Sequence, residues 1–98
     1  MSKKLHTEEM DSLMRGILSL VSVEECYAFF EDLCTAGELL SLGQRFEVAA
    51  MLKNGMTYHD VAEATGASTA TISRVSRSIN YGNGGYGLVL ERIQKKNS

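Results

Sequence analysis

The sequence predicts an all-α chain, and three observations carry that prediction. Apolar residues recur at three- and four-residue intervals with no segment alternating at period two. Proline is absent from all 98 positions. Helix-start signatures recur as Ser22 with Glu25, Thr35 with Glu38 and Thr57 with Asp60. Six helices are expected in one domain.

Residues 1–7, carrying His6, are expected to form a flexible arm. The first helix is expected from about Glu8 to Val21, with Met10, Met14, Ile17 and Val21 on one stripe and Leu13 and Leu20 widening it. Ser22 and Glu25 open a second helix to about Leu33, whose Tyr27, Phe30, Leu33 and Cys34 face inward. Thr35 and Glu38 open a third that runs to Asn54 and stops at Gly55. Its apolar residues Leu39, Leu42, Phe46, Ala49, Ala50 and Leu52 cover more than one side, which makes it central. Residues 8–55 together make a helical body.

The segment 57–79 has the spacing of a helix-turn-helix. Thr57 can cap its first helix, with Asp60 reaching back as the N3 carboxylate. Val61 and Ala62 supply an apolar, small pair where the helices cross. Gly66 suits the bend because it takes positive φ without a Cβ clash. Ser68 can cap the second helix, which turns Ile72, Val75 and Ile79 (i, i+3, i+7) inward. The stretch 80–87, NYGNGGYG, holds four glycines in eight residues and reads as a loop, with Tyr81 and Tyr86 anchoring it on the body. A short helix over 88–96 closes the chain.

With that inward face assigned, Thr69, Ala70, Thr71, Ser73, Arg74 and Arg77 point outward. A tip of short hydroxyl-bearing side chains lets a helix sit deep in a major groove, where threonine methyls and Ala70 can meet thymine methyls. Ser68 and His59 flank this tip within reach of phosphate. An ordinary solvated hairpin would more often carry Glu and Lys; this helix carries no carboxylate. The whole chain has a net charge of −2, which alone argues against a nucleic-acid partner. Residues 66–98, however, hold five Lys or Arg against Glu91 alone, a net +4, while residues 1–65 hold five against eleven acids, a net −6. Positive charge is thus concentrated around the reading head.

Other function classes find little support. No apolar run approaches the ~18 residues of a membrane span, and residues 1–12 turn acidic too early for a signal peptide, so a cytoplasmic protein is expected. Cys26 and Cys34, eight residues apart on a helix, would sit about 12 Å apart, too far for a disulfide. Without a nearby His they make a poor metal site. The Gly-rich loop lacks the Lys-Ser/Thr ending of a phosphate-binding loop. No catalytic constellation stands out, so neither an enzyme nor a cofactor is expected. The apolar faces of the first three helices exceed what a lone reading head requires, and a two-fold dimer is the natural outlet for them. The partners expected are double-stranded DNA and a second copy of the chain; the alternative is a helix-turn-helix scaffold for protein or RNA contact.

Three stretches carry a family resemblance: Leu42-Gly43-Gln44-Arg45, Met51 to Thr57, and above all Gly66-Ala67-Ser68-Thr69-Ala70-Thr71-Ile72-Ser73-Arg74. They resemble the Trp repressor superfamily. With Ile79 to Tyr86 following, the chain is most similar to its YerC/YecD-type branch. The resemblance covers roughly residues 8–95 and implies a six-helix TrpR-like fold, an intertwined homodimer and repression at a pseudo-palindromic operator. Tryptophan-responsive members hold a corepressor between the central and reading helices. At the matching positions this chain has Thr35, Arg45, Arg74 and Ser78, but Val75 stands where those members carry glycine. An isopropyl group fills the slot that a flat ring would enter. Tryptophan is therefore not expected to bind, leaving room only for a smaller or differently shaped effector, with Arg45 free to pair with an acid of the body.

Overall fold

A computed structural model of the chain describes residues 4–97. Six helices and no strand are present among the described residues: α1 (Glu8–Leu18), α2 (Val23–Leu33), α3 (Ala36–Lys53), α4 (Tyr58–Thr65), α5 (Thr69–Tyr81) and α6 (Gly85–Asn97). The all-α expectation is met. The chain divides into two compact units, Met1–Leu39 and Leu40–Ser98.

The first unit is built from local capping. Thr7 caps α1, its hydroxyl accepting from the Met10 N–H at 3.1 Å. Of the arm expected over 1–7, residues 1–3 lie outside the described residues, and Thr7 belongs to the helix start. α1 ends at Leu18 rather than Val21, because two groups close it early. Ser19 turns both its hydroxyl and its amide onto the Gly16 carbonyl. The Val21 N–H is claimed by the Glu25 carboxylate at 3.0 Å, which already belongs to the start of α2. Ser22 completes that box by accepting from the Glu25 N–H. Thr35 and Glu38 cap α3 reciprocally, at 2.9 and 3.1 Å. Phe29 and Phe30 meet edge to face, with ring centroids 5.4 Å apart.

Neither α1 nor α2 contains a buried residue. Tyr27 and Leu33, expected to face inward, are exposed in the single chain, as are Leu18, Val21 and Val23. The apolar stripes exist, but no described residue buries Leu18, Val21, Val23, Tyr27 or Leu33.

The second unit holds the core. Val48 and Ala49 of α3, Val61 of α4, Ala67 of the turn, and Ile72 and Val75 of α5 are all buried. Met51, Leu52, Met56, Ala62, Ile79, Tyr86 and Leu90 pack around them. α3 ends in a Schellman motif: Met56 N–H reaches the Met51 carbonyl and Gly55 N–H the Leu52 carbonyl, with Gly55 at φ 85°.

The loop expected over 80–87 is much shorter. α5 continues to Tyr81 and α6 begins at Gly85, leaving residues 82–84 as the connector. Gly85 and Gly87 occupy the first turn of α6, whose amides lack intrahelical partners in any helix, and Tyr86 and Leu90 anchor that turn on the core. Gly82 is required by contact: a Cβ there would collide with the Ser78 carbonyl. Tyr81 does not anchor anything; it is 86% exposed.

Candidate nucleic-acid interface

The α4–turn–α5 unit is assembled by hydroxyls and one glycine. Thr57 caps α4 by accepting from the Asp60 N–H at 3.1 Å. Asp60 contributes its amide to this cap and not the carboxylate that the sequence suggested. Gly66 ends α4 in the left-handed region at φ 73°, its N–H bonded to the Ala62 carbonyl at 2.8 Å. The Thr65 hydroxyl donates to the Val61 carbonyl and accepts from the Ala67 N–H, tying the turn to the helix behind it. From α3, the Gln44 side-chain amide donates to the Thr65 carbonyl at 3.3 Å. A Cβ at Gly66 would meet nothing within 4 Å, so only backbone strain opposes a side chain there. Gly66→Ala is expected to lower unfolding free energy by about 1–2 kcal/mol, measured by urea denaturation.

The Ser68 hydroxyl accepts from the Thr71 N–H and donates to Thr71 Oγ1, both at 3.1 Å. The cap therefore engages Ser68's hydroxyl proton and one of its lone pairs, and leaves Thr71's hydroxyl proton to point elsewhere. Thr69, Ala70, Arg74 and Arg77 are exposed, while Thr71 and Ser73 are half-buried. Behind them, Ile72 and Val75 are each 1% exposed. Ile72 and Val75 thus face the core and Thr69, Ala70, Arg74 and Arg77 face outward as the periodicity predicted, whereas Thr71 and Ser73, also expected outward, lie at the boundary between the two faces.

One residue was missed. Ala70, Arg74, Arg77 and Tyr81 follow each other at steps of four, three and four, which places the exposed Tyr81 ring in line with both arginines. The same spacing would have found it, had the helix been extended past Ile79. His59 is exposed on α4, 3.9 Å from the Glu63 carboxylate, a surface pair of little energetic weight.

The residues suggested for an effector are differently engaged. Val75 is buried in the core. Arg45 donates to the Ser41 hydroxyl at 2.9 Å instead of pairing with an acid. Ser78 lines a shallow groove with Phe46, Gly82, Asn83, Tyr86 and Val89, of which neither Arg45 nor Arg74 is part. Thr35 lies in the first unit, engaged with Glu38. Cys26 and Cys34 are free thiols. Among the described residues no His, Cys, Asp or Glu cluster could hold a metal ion, and no helix is long and apolar enough to cross a membrane.

Comparison with known proteins decides the family. The family model described as Trp repressor protein matches residues 8–94. The chain belongs to the Trp repressor family. It is 56% identical over 92 residues to the protein YerC of Bacillus subtilis (strain 168), covering 94% of this chain and 88% of that one. The crystal structure of a TrpR-like protein from Eubacterium eligens ATCC 27750 superposes with a TM-score of 0.89 at 60% identity, covering 92% of this chain and 93% of that one. A candidate Trp repressor from Staphylococcus aureus gives the same TM-score at 50% identity, covering 92% and 90%. Trp repressor family membership places the chain among DNA-binding regulators.

Proposed function

We propose that the chain is a sequence-specific transcriptional repressor that binds a pseudo-palindromic operator as a homodimer. The observation that carries this reading is the two-sided α5. One face is buried on the core through Ile72 and Val75, and the other presents Thr69, Ala70, Arg74 and Arg77 with no carboxylate anywhere on the helix. In this reading α4 and α5 form a helix-turn-helix: α5 enters the major groove and α4 lies against the backbone.

The dimer is supported by the uncovered apolar surface of α1 and α2, where Leu18 and Val21 are each 82% exposed, Val23 67% and Tyr27 61%. Large apolar side chains exposed close together along the sequence are what an interface would cover. A two-fold axis would set the reading helices about 34 Å apart, a spacing known from helix-turn-helix repressors that include the Trp repressor itself. Leu18→Glu combined with Val23→Glu is expected to lower the mass measured by light scattering from dimer to monomer. An unchanged dimeric mass would move the interface elsewhere.

We further propose that L-tryptophan is not the effector; the burial of Val75 in the core, at the position where responsive members are expected to carry glycine, supports this reading. The test of function is selection of duplexes from a randomised DNA library by the purified protein, without added metabolite. Enrichment of a two-fold-symmetric site supports the reading. A library that stays random, in the presence of cell extract as well, would overturn it and favour a scaffold for protein or RNA.

A further inference from the structure

The chain contains two Asn-Gly dipeptides, Asn54–Gly55 and Asn83–Gly84. Both asparagines are exposed and both glycines have positive φ, 85° and 79°. Glycine leaves the following backbone nitrogen sterically open to the asparagine side chain. Their surroundings differ in one respect that controls the chemistry. The Gly55 N–H is bonded to the Leu52 carbonyl at 3.0 Å, and the Asn54 N–H is shared between the Ala50 and Met51 carbonyls. That peptide is fixed within the Schellman motif closing α3. Around Asn83, by contrast, neither its side-chain amide nor the Gly84 N–H has a hydrogen-bond partner among the described residues. The segment is the three-residue connector 82–84, tied down by the Gly82 N–H to the Ser78 carbonyl on one side and the Leu88 N–H to the Gly84 carbonyl on the other.

We propose that Asn83 is a site of spontaneous deamidation and that the identical dipeptide at Asn54 is protected by its cap. The Gly84 nitrogen loses its proton and attacks Cγ of Asn83. The Cγ–Nδ2 bond breaks, ammonia leaves, and a five-membered succinimide remains. Water then opens the ring. Attack at Cγ leaves an aspartate with the chain unchanged, whereas attack at the main-chain carbonyl leaves an isoaspartate whose chain runs through Cγ. No oxidant, metal or enzyme is needed.

The position gives the reaction a consequence, which rests on the repressor reading above. Either product adds a negative charge two residues beyond the end of α5, in the half of the chain that is otherwise net positive. Isoaspartate also inserts a backbone methylene into the connector that sets α6 against α5. Aged protein therefore binds operator DNA more weakly than fresh protein.

The experiment is incubation of the full chain in warm, mildly alkaline buffer, followed by peptide mapping with isoaspartate-sensitive mass spectrometry. The same time course is run in concentrated urea. In the folded protein Asn83 is expected to convert at least about tenfold faster than Asn54, a barrier difference of about 1.4 kcal/mol. In urea, with the cap gone, the two rates converge. Equal rates in the folded protein, or faster conversion of Asn54, overturn the proposal. Asn83→Gln, which closes a six-membered ring far more slowly, is expected to keep its DNA affinity through the same incubation. Because the mapping involves no DNA, an absent DNA interaction leaves the deamidation result intact and separately readable.

Discussion

Val75→Gly is expected to lower the unfolding free energy by about 2–4 kcal/mol, the sum of a buried isopropyl group and the entropy of glycine within a helix. Val75 is 1% exposed and stands one turn after Ile72 in the single cluster that joins α3, α4 and α5. For a domain of this size the loss is a large share of total stability. The urea midpoint should fall with little change in slope. The same variant separates packing from ligand chemistry. L-Tryptophan should raise the melting temperature of Val75→Gly, whose slot has been reopened, and leave the parent chain unmoved. A parent chain that responds to micromolar L-tryptophan would show that Val75 does not block the slot.

The second large effect lies on the exposed side of the same helix. Arg74→Ala and Arg77→Ala should each weaken operator binding by about 1–3 kcal/mol per half-site. Neither guanidinium has an ion-pair or hydrogen-bond partner among the described residues, so folding stability should stay within about 0.5 kcal/mol. The two roles open to an arginine there are distinguishable by salt titration. A phosphate contact, once lost, weakens binding to all sequences alike and flattens the dependence on salt by about one unit per contact. Loss of a base contact instead relaxes preference at one position of the site. Binding by both variants equal to that of the parent chain would remove α5 as the reading helix.

How far the sequence carried these readings depended on whether the deciding force was local. Ser22, Thr35, Thr57 and Ser68 all cap helices as expected, because a hydroxyl and an amide three residues on need only each other. Gly66 was legible for the same reason. The burial of Ile72 and Val75 followed from period alone. The connector after α5 was misread because four glycines in eight residues speak against a helix, whereas Tyr86 and Leu90 bring in packing that local propensity does not contain. The exposed Tyr81 was hidden by that same error. For α2, periodicity identified an apolar face but carried no information about what would cover it. The candidate interface was the most legible part, since it combines a cap, a turn and a helix face within about 20 residues.

The uncovered face of α1 and α2 has a consequence for dose. If the proposed dimer forms through this face, a subunit whose helices α1 and α2 bury no residue of their own would gain stability from its partner, and folding and assembly would become one concentration-dependent event. Doubling the chain supply then raises the dimer more than twofold wherever free subunits predominate. Unpaired subunits, exposing Leu18, Val21 and Val23, are the form that proteases meet first. For a regulator assembled in that way, scarcity would lower operator occupancy more sharply than affinity alone, placing a threshold in the supply of the chain itself.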